Sequence, residues 1–302
     1  MIRRLLSMSI SIVIGCLCLS AKNVALLIGI GNYNSSLTGW NVIHGNNDVV
    51  LLEKKFKDKG FAISYLVDDK ATKNNIKSAL SKLVTCATAG DSIYIHFSGH
   101  GQLIADMNQD ENNGYDQSFV CFDACFSPYY KIRGCKYRGQ NHLIDDELFP
   151  YLNNLKKKIG KKGYVIVVFD SCYSEGADRS ARSETASPKC LVDWIGTVRG
   201  TNDALLIDSA TEMYLRSIKK PDSYSSRGGS ITIISACMSD KRNYECKERH
   251  SGRKYGSLSY CIAKMLDLKI PLSLWGDYFS SNKYRSLNIF RPSQSPMVEF
   301  HK

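Results

Sequence analysis

The sequence predicts an α/β protein organised around a mainly parallel sheet. Two observations carry that expectation. Short apolar runs rich in Val, Ile, Leu, Tyr and Phe recur along the chain, and stretches with apolar residues three and four apart lie between them. A βαβα order places helices on both faces of a parallel sheet, and strands covered on both faces read as continuous rather than alternating apolar runs.

The first strand is expected at 23–30, where Val24 to Ile28 are apolar without a break. A helix follows at 47–59, with Val49, Leu52 and Phe56 three and four apart behind polar Asn47. Strand 62–67 comes next, then helix 71–86, in which Ile76, Leu80 and Leu83 share a face. Residues 92–97 form the third strand. Helix 145–158, carrying Leu148, Leu152 and Leu155, precedes the fourth strand at 164–169. The fifth strand is 230–235 and the last helix 254–268. Two long stretches break the alternation: 102–142, rich in Asp, Asn, Gly and Tyr, and 174–229, rich in Ser, Arg, Lys and Thr. Loops of that length are uncommon in a compact domain unless they are functional or mobile.

With 302 residues, 43% of them hydrophobic and 23% charged, the chain can bury a sizeable core, so disorder is not the default; one large or two small domains fit the length. The formal charge of +11 is spread along the chain. One dense cluster, Lys156, Lys157, Lys158, Lys161 and Lys162, straddles Gly160 just ahead of an apolar strand. Lacking interleaved aromatics, it reads as a solvated helix end and turn, and no nucleic-acid partner is expected.

Residues 1–21 differ from the rest: Arg3 and Arg4 precede an apolar or small run from Leu5 to Ala21, with no charge until Lys22. These are the features of an export signal. Cleavage beside Ser20 or Ala21, lipidation of Cys16 within Val13-Ile14-Gly15-Cys16, which resembles a bacterial lipobox, and retention as an anchor all fit. The expected location is therefore exported: secreted, periplasmic or lipoprotein-anchored, with any membrane contact made through the lipid or the leader. Of 11 cysteines, Cys16 and Cys18 fall in this leader, and the nine others allow up to four disulfides and one remaining thiol in an oxidising compartment.

Ligands gather at the carboxyl ends of parallel strands, where loops and helix N-termini converge. Strand 92–97 runs into Ser98-Gly99-His100-Gly101, strand 164–169 into Asp170-Ser171-Cys172-Tyr173-Ser174-Glu175-Gly176, and strand 230–235 into Ala236-Cys237. A cysteine is a strong nucleophile only as a thiolate, which needs a neighbouring base, and His100 supplies one. The flanking glycines let backbone approach a substrate, and the Gly101 N–H is placed to donate to an oxyanion. Taken singly, a Cys at a strand end is a packed small residue and a His in a glycine turn is a satisfied polar group. At the ends of two apolar parallel strands, the pair points to acyl transfer.

These motifs resemble the caspase-like cysteine peptidases, and among them the metacaspase and paracaspase branch, whose catalytic His lies in a Ser-Gly-His-Gly turn and whose Cys follows Asp-x-Cys. The likeness runs over 23–294 and includes Ala25 to Ile30 with Asn32-Tyr33, Asn47-Asp48-Val49, Ile144-Asp145-Asp146-Glu147-Leu148, Ile231 to Ala236 and Gln294-Ser295-Pro296. It implies a three-layer α/β/α sandwich with a mainly parallel, roughly six-stranded sheet. The peptidase domain would span 22–302: a large-subunit-like part (22–177), a linker-like insertion (178–229) and a small-subunit-like part (230–302). Cys172 and His100 would form the catalytic dyad, with the N–H groups of Gly101 and Cys172 as the oxyanion hole.

The resemblance also implies specificity. Caspases that cut after Asp carry Gln two positions before the nucleophile and line the pocket with Arg. Here that position is Asp170, as in the metacaspase branch, and Asp48 matches its second acidic pocket residue. Two carboxylates facing one pocket bind a guanidinium well, so protein or peptide substrates with Arg or Lys before the scissile bond are expected. Without the resemblance, Asp170 would read as a turn cap and Asp48 as an acid favoured at a helix N-terminus. Aspartates that bind calcium in some metacaspases match Asp116, Asp145, Asp146 and Asp178, hard oxygen donors suited to Ca²⁺; as a plain helix start, Asp145 would be an N-cap and Asp146 an early acid. No organic cofactor is implied. Tyr173 stands where the branch commonly has His, and Glu175 precedes Gly176; both bear on subsite preference. An Arg/Lys-specific enzyme could cut its own 174–229 stretch, which carries eight Arg or Lys residues including Arg179, Arg199 and Arg227. Two alternatives stay open: a catalytically silent binding scaffold, and a peptidase with another residue before the scissile bond.

Overall fold

The computed structural model describes residues 22–109, 111, 114–126, 139–172, 191–200, 205, 209–218, 223–237 and 242–302. Residues 1–21, expected to be a leader and including Cys16, and Tyr173, Glu175 and Asp178, lie outside the described residues. Among the described residues no helix is long and apolar enough to cross a membrane.

Twelve strands are described: β1 (Asn23–Gly29), β2 (Ala62–Val67), β3 (Ser92–Ser98), β4 (Gly101–Ala105), β5 (Tyr115–Val120), β6 (His142–Ile144), β7 (Tyr164–Asp170), β8 (Val192–Val198), β9 (Ser230–Ser235), β10 (Tyr244–Glu248), β11 (Lys254–Gly256) and β12 (Met297–His301). Six of them form the main sheet in the order β12-β9-β7-β3-β1-β2, parallel throughout except for β12 against β9. The five strands read from the sequence are all in it. The sixth, β12, closes one edge.

Strand residues divide between two cores by the two-residue period of an extended chain. Leu26, Ile28, Ile93, Ile95, Val165 and Val167 face one layer, where helices Lys73–Cys86 and Asp145–Ile159 contribute Ile76, Leu80, Leu148 and Leu152. Ala25, Leu27, Tyr94, Ile166 and Val168 face the other, covered by helices Gly45–Lys57 and Ser257–Asp267 through Val49, Phe56, Leu258 and Ile262. This is the α/β/α sandwich. Cys121, Cys246 and Cys261 are thiols packed in these cores, where burial pushes each well above the usual thiol range.

The two long breaks are not plain loops. The 102–142 stretch holds nearly all of β4, all of β5 and the first residue of β6, an antiparallel sheet beginning directly after His100. The 174–229 stretch holds β8 and helix Ser209–Ser217, and β8 joins β10 and β11 in a third sheet. Helix 254–268 is correspondingly shorter than expected, starting at Ser257 because Lys254–Gly256 pairs as β11. The lysine cluster ends a helix as expected, except that Lys156 is buried.

The chain leaves β1 for β2 on one side and returns to β3 on the other. A crevice opens at such a switch point. Ser98 lies level with Gly29 on one side and with Asp170 on the other, so the ends of β1, β3 and β7 deliver their loops to one place.

Candidate active site

His100 and Cys172 each follow by two residues a pair of partners in register, Ser98 on β3 and Asp170 on β7. Both are buried. The imidazole is held from several sides. Its Nε2 lies 2.8 Å from the Asn41 carbonyl oxygen, which can only accept, so Nε2 carries the hydrogen and Nδ1 is the basic nitrogen. Nδ1 has no hydrogen-bond partner among the described residues. The Trp40 indole stacks on the ring at 4.8 Å, and the backbone N–H of His100 donates to the Tyr33 hydroxyl, which in turn donates to the Val120 carbonyl. Burial lowers His100 to about 4, against the raising effect of the Asn41 carbonyl, so at neutral pH the ring is uncharged and available as a base.

Beside Cys172, at the end of β7, lies a buried acidic cluster, and the protein's own Arg199 fills it. Its guanidinium is 2.8 Å from Asp48, 2.9 Å from Glu245 and 3.6 Å from Asp170, with all four side chains fully buried. Ser98 Oγ bridges the group, donating to Asp48 at 2.6 Å while accepting from Arg199. Asp170 is itself fixed by the Asn243 amide at 2.6 Å and by the Ser259 N–H and hydroxyl at 2.7 and 2.5 Å. Glu245 is also bonded by His44, through its N–H at 2.7 Å and its ring at 2.6 Å.

One guanidinium faces three carboxylates. Burial pushes Asp48 up to about 6, Arg199 pulling it down and neighbouring Asp170 pushing it further up. Burial acts on Glu245 in the same direction, but Arg199 and His44 together hold it down to about 2. Arg199 is held above its ordinary range, because the three carboxylates outweigh its desolvation. The three carboxylates thus surround a planar, always-charged cation.

Asp48 keeps its helix-start placing as well, in the first turn of helix Gly45–Lys57, while its second oxygen accepts from the Gly256 N–H. Asp48 and Asp170 thus come together as the motif implied. Glu245 was missed: it sits on a short strand in a region without a strong periodic signal, and only its pairing in β10 aims it inward. Trp40 and Asn41 were missed too, lying in a connection whose role is set by what it packs on. Gly101 begins β4 beside His100.

Oxygens of Asp116, Asp145 and Asp146 lie within 4.8 Å of one another on β5 and the start of helix Asp145–Ile159. The N-cap of that helix is Ile144, so Asp145 is its first residue rather than its cap. Asp116 is buried, and burial with Asp145, Asp146, Asp106 and Glu111 around it pushes it up to about 9. Its Oδ1 has no hydrogen-bond partner among the described residues. A buried carboxylate oxygen facing two more carboxylates fits a hard cation such as Ca²⁺.

The chain matches the caspase domain family profile over residues 22–270. It is 26% identical to Metacaspase-1 of Scheffersomyces stipitis over 311 residues, covering 92% of this chain and 70% of that protein. It is 34% identical to Metacaspase-1B of Aspergillus clavatus over 166 residues, 51% of this chain and 36% of that one. In this and similar matches the chain spans between 23% and 37% of the fungal relative's length. Among solved structures, protein GSU0716 from Geobacter sulfurreducens superposes with a TM-score of 0.60 at 18% identity, covering 93% of both chains. Caspase-1 from Spodoptera frugiperda superposes with a TM-score of 0.52 at 11% identity, covering 93% of this chain and 88% of that one. Both share the fold.

Proposed function

This chain belongs to the caspase domain family, and on that footing we propose that it is a cysteine endopeptidase that cleaves after Arg or Lys and can cut its own 174–229 stretch. The observation that carries the specificity is the guanidinium of Arg199 held among Asp48, Asp170 and Glu245. A buried pocket that pairs one arginine side chain with three carboxylates suits another of the same kind.

In this reading Nδ1 of His100 takes the proton of Cys172, and the thiolate attacks the carbonyl carbon of the Arg or Lys residue. The Cys172 N–H and the Gly101 N–H stabilise the oxyanion, the imidazolium returns its proton to the leaving amine, and water releases the acyl group from sulfur. Asn41 and Trp40 keep the imidazole in the productive tautomer and plane. Calcium belongs to the proposal: Asp116, Asp145 and Asp146 would hold it, and the ion would neutralise their mutual repulsion. Export through the 1–21 leader belongs to it too.

The test is a panel of fluorogenic peptides ending in Arg, Lys, Asp or Ala, given to wild type and Cys172→Ala with calcium or chelator. Cleavage after Arg and Lys that Cys172→Ala abolishes supports the proposal. Cleavage after Asp contradicts the pocket assignment, and a folded chain that cuts neither peptide nor itself contradicts the activity.

A further inference from the structure

Arg199 does more than fill the pocket. Its carbonyl oxygen accepts from the Cys172 N–H at 2.7 Å, and its own N–H donates to the Asn243 carbonyl at 3.2 Å. The residues before it form β8, antiparallel to β10, with Val198 opposite Tyr244 and Trp194 opposite Cys246. Gly200, the residue after it, lies against the Cys172 and Gly101 carbonyls at φ +151; a Cβ there would collide with the Cys172 carbonyl oxygen. Beyond it, the Leu205 N–H is bonded to the Leu103 carbonyl on β4. The 196–198 and 200 backbone also walls a cavity of about 380 Å³ that His100 lines. An arginine kept only for charge balance would need the side-chain contacts alone. Here side chain, carbonyl, N–H and preceding strand are all engaged as an extended peptide is engaged by β-augmentation.

The geometry points to segment Val192–Gly200 as an internal substrate, with Arg199–Gly200 as the bond this enzyme cuts in its own chain. Extended substrates with Gly on the leaving side of Arg are then the class it prefers in other proteins. The assignment rests on the proposed Arg/Lys peptidase reading. In the step itself, a bond forms between Cys172 Sγ and the Arg199 carbonyl carbon, and the bond to the Gly200 nitrogen breaks. His100 gives that nitrogen the proton it took from the thiol, and Gly200 leaves as a free amine. Water then hydrolyses the thioester, leaving Arg199 with a carboxylate. Until then the strand covers Cys172, so the intact chain is latent.

Two measurements test this. The first follows the full chain by intact mass and N-terminal sequencing during incubation, for wild type, Arg199→Lys, Arg199→Gln and Cys172→Ala. A new N-terminus at Gly200 is expected for wild type and Arg199→Lys, and not for the other two. The second needs no variant of the protein to fold: quenched peptides Gly-Thr-Val-Arg-Gly-Thr and Gly-Thr-Val-Arg-Ala-Thr are compared on the processed enzyme, with at least about tenfold preference for Gly expected in kcat/KM. A chain that cuts Arg peptides fully while Arg199–Gly200 stays intact, or that shows no Gly preference, overturns the internal-substrate assignment and leaves the peptidase reading standing. A chain that cuts neither peptide nor itself overturns both.

Discussion

Arg199 places its guanidinium 2.8 Å from the Asp48 carboxylate, and neither side chain is exposed. A buried pair of this kind is costly to break by removing one partner, because the other charge is left without compensation. Asp48→Asn, Asp170→Asn and Glu245→Gln should each lower kcat/KM for Arg peptides by about 10- to 100-fold, the kinetic equivalent of one lost charge-assisted hydrogen bond. Steady-state kinetics on Arg and Ala peptides would check this. Asp170→Asn should lose most, since Ser259 and Asn243 hold it in place for no other evident partner.

Gly256 leaves room for that carboxylate. A Cβ there would collide with Asp170 Oδ2 and lie 2.6 Å from a guanidinium nitrogen of Arg199. Its backbone, at φ −64 and ψ 139, suits any residue, so Gly256→Ala is a steric test alone. It should cut activity on Arg peptides about 100-fold, the cost of misplacing a binding group by about 1 Å, with the far-ultraviolet circular dichroism unchanged.

Much of this was legible in the sequence. Continuous apolar runs located five strands of the main sheet, and the polar residues that end two of them marked His100 and Cys172 as candidates. What escaped was non-local. Residues 192–198 (Val-Asp-Trp-Ile-Gly-Thr-Val) carry a glycine and a charge and have no strong period, and they become a strand because β10 offers them an edge. Glu245 and Arg199 lie 46 positions apart and take on meaning only when that pairing brings them together. Asp48 read equally well as a helix-start acid, and it is one; its second role needed the third dimension.

His142 contributes to the pH dependence alongside His96 and His100, which burial also lowers. It is buried beside Gln102, and burial, with Lys73 nearby, lowers it to about 3. In the unfolded chain a histidine titrates near about 6.5. Between those values the unfolded state binds a proton that the folded state refuses, so stability is complete above about pH 6.5 and falls as pH drops toward 3, by about 1.4 kcal/mol per pH unit. His142→Gln should lose less stability than wild type between pH 7 and pH 5, measured by urea midpoints. An equal loss would place the proton uptake elsewhere.

Calcium should raise the melting temperature by several degrees at neutral pH, by binding Asp116, Asp145 and Asp146 in the folded state alone. Asp116→Asn should reproduce part of that gain without the ion, about 2–4 °C, because it removes a carboxylate that burial has pushed up to about 9. It should also blunt the response to added calcium. Thermal scans with calcium and with chelator decide this, and an unchanged calcium shift in Asp116→Asn would remove Asp116 from the site.

The most direct test of the central claim is covalent. Enzyme incubated with calcium is treated with an Arg-directed and an Asp-directed electrophile, for wild type, His100→Ala and Asp170→Asn, and the adduct is located by peptide mapping. One equivalent of the Arg-directed label on Cys172 is expected, with little of the Asp-directed one and strong loss of labelling in both variants. Labelling of another cysteine, or equal labelling of Cys172 in His100→Ala, would contradict the assignment of nucleophile and base.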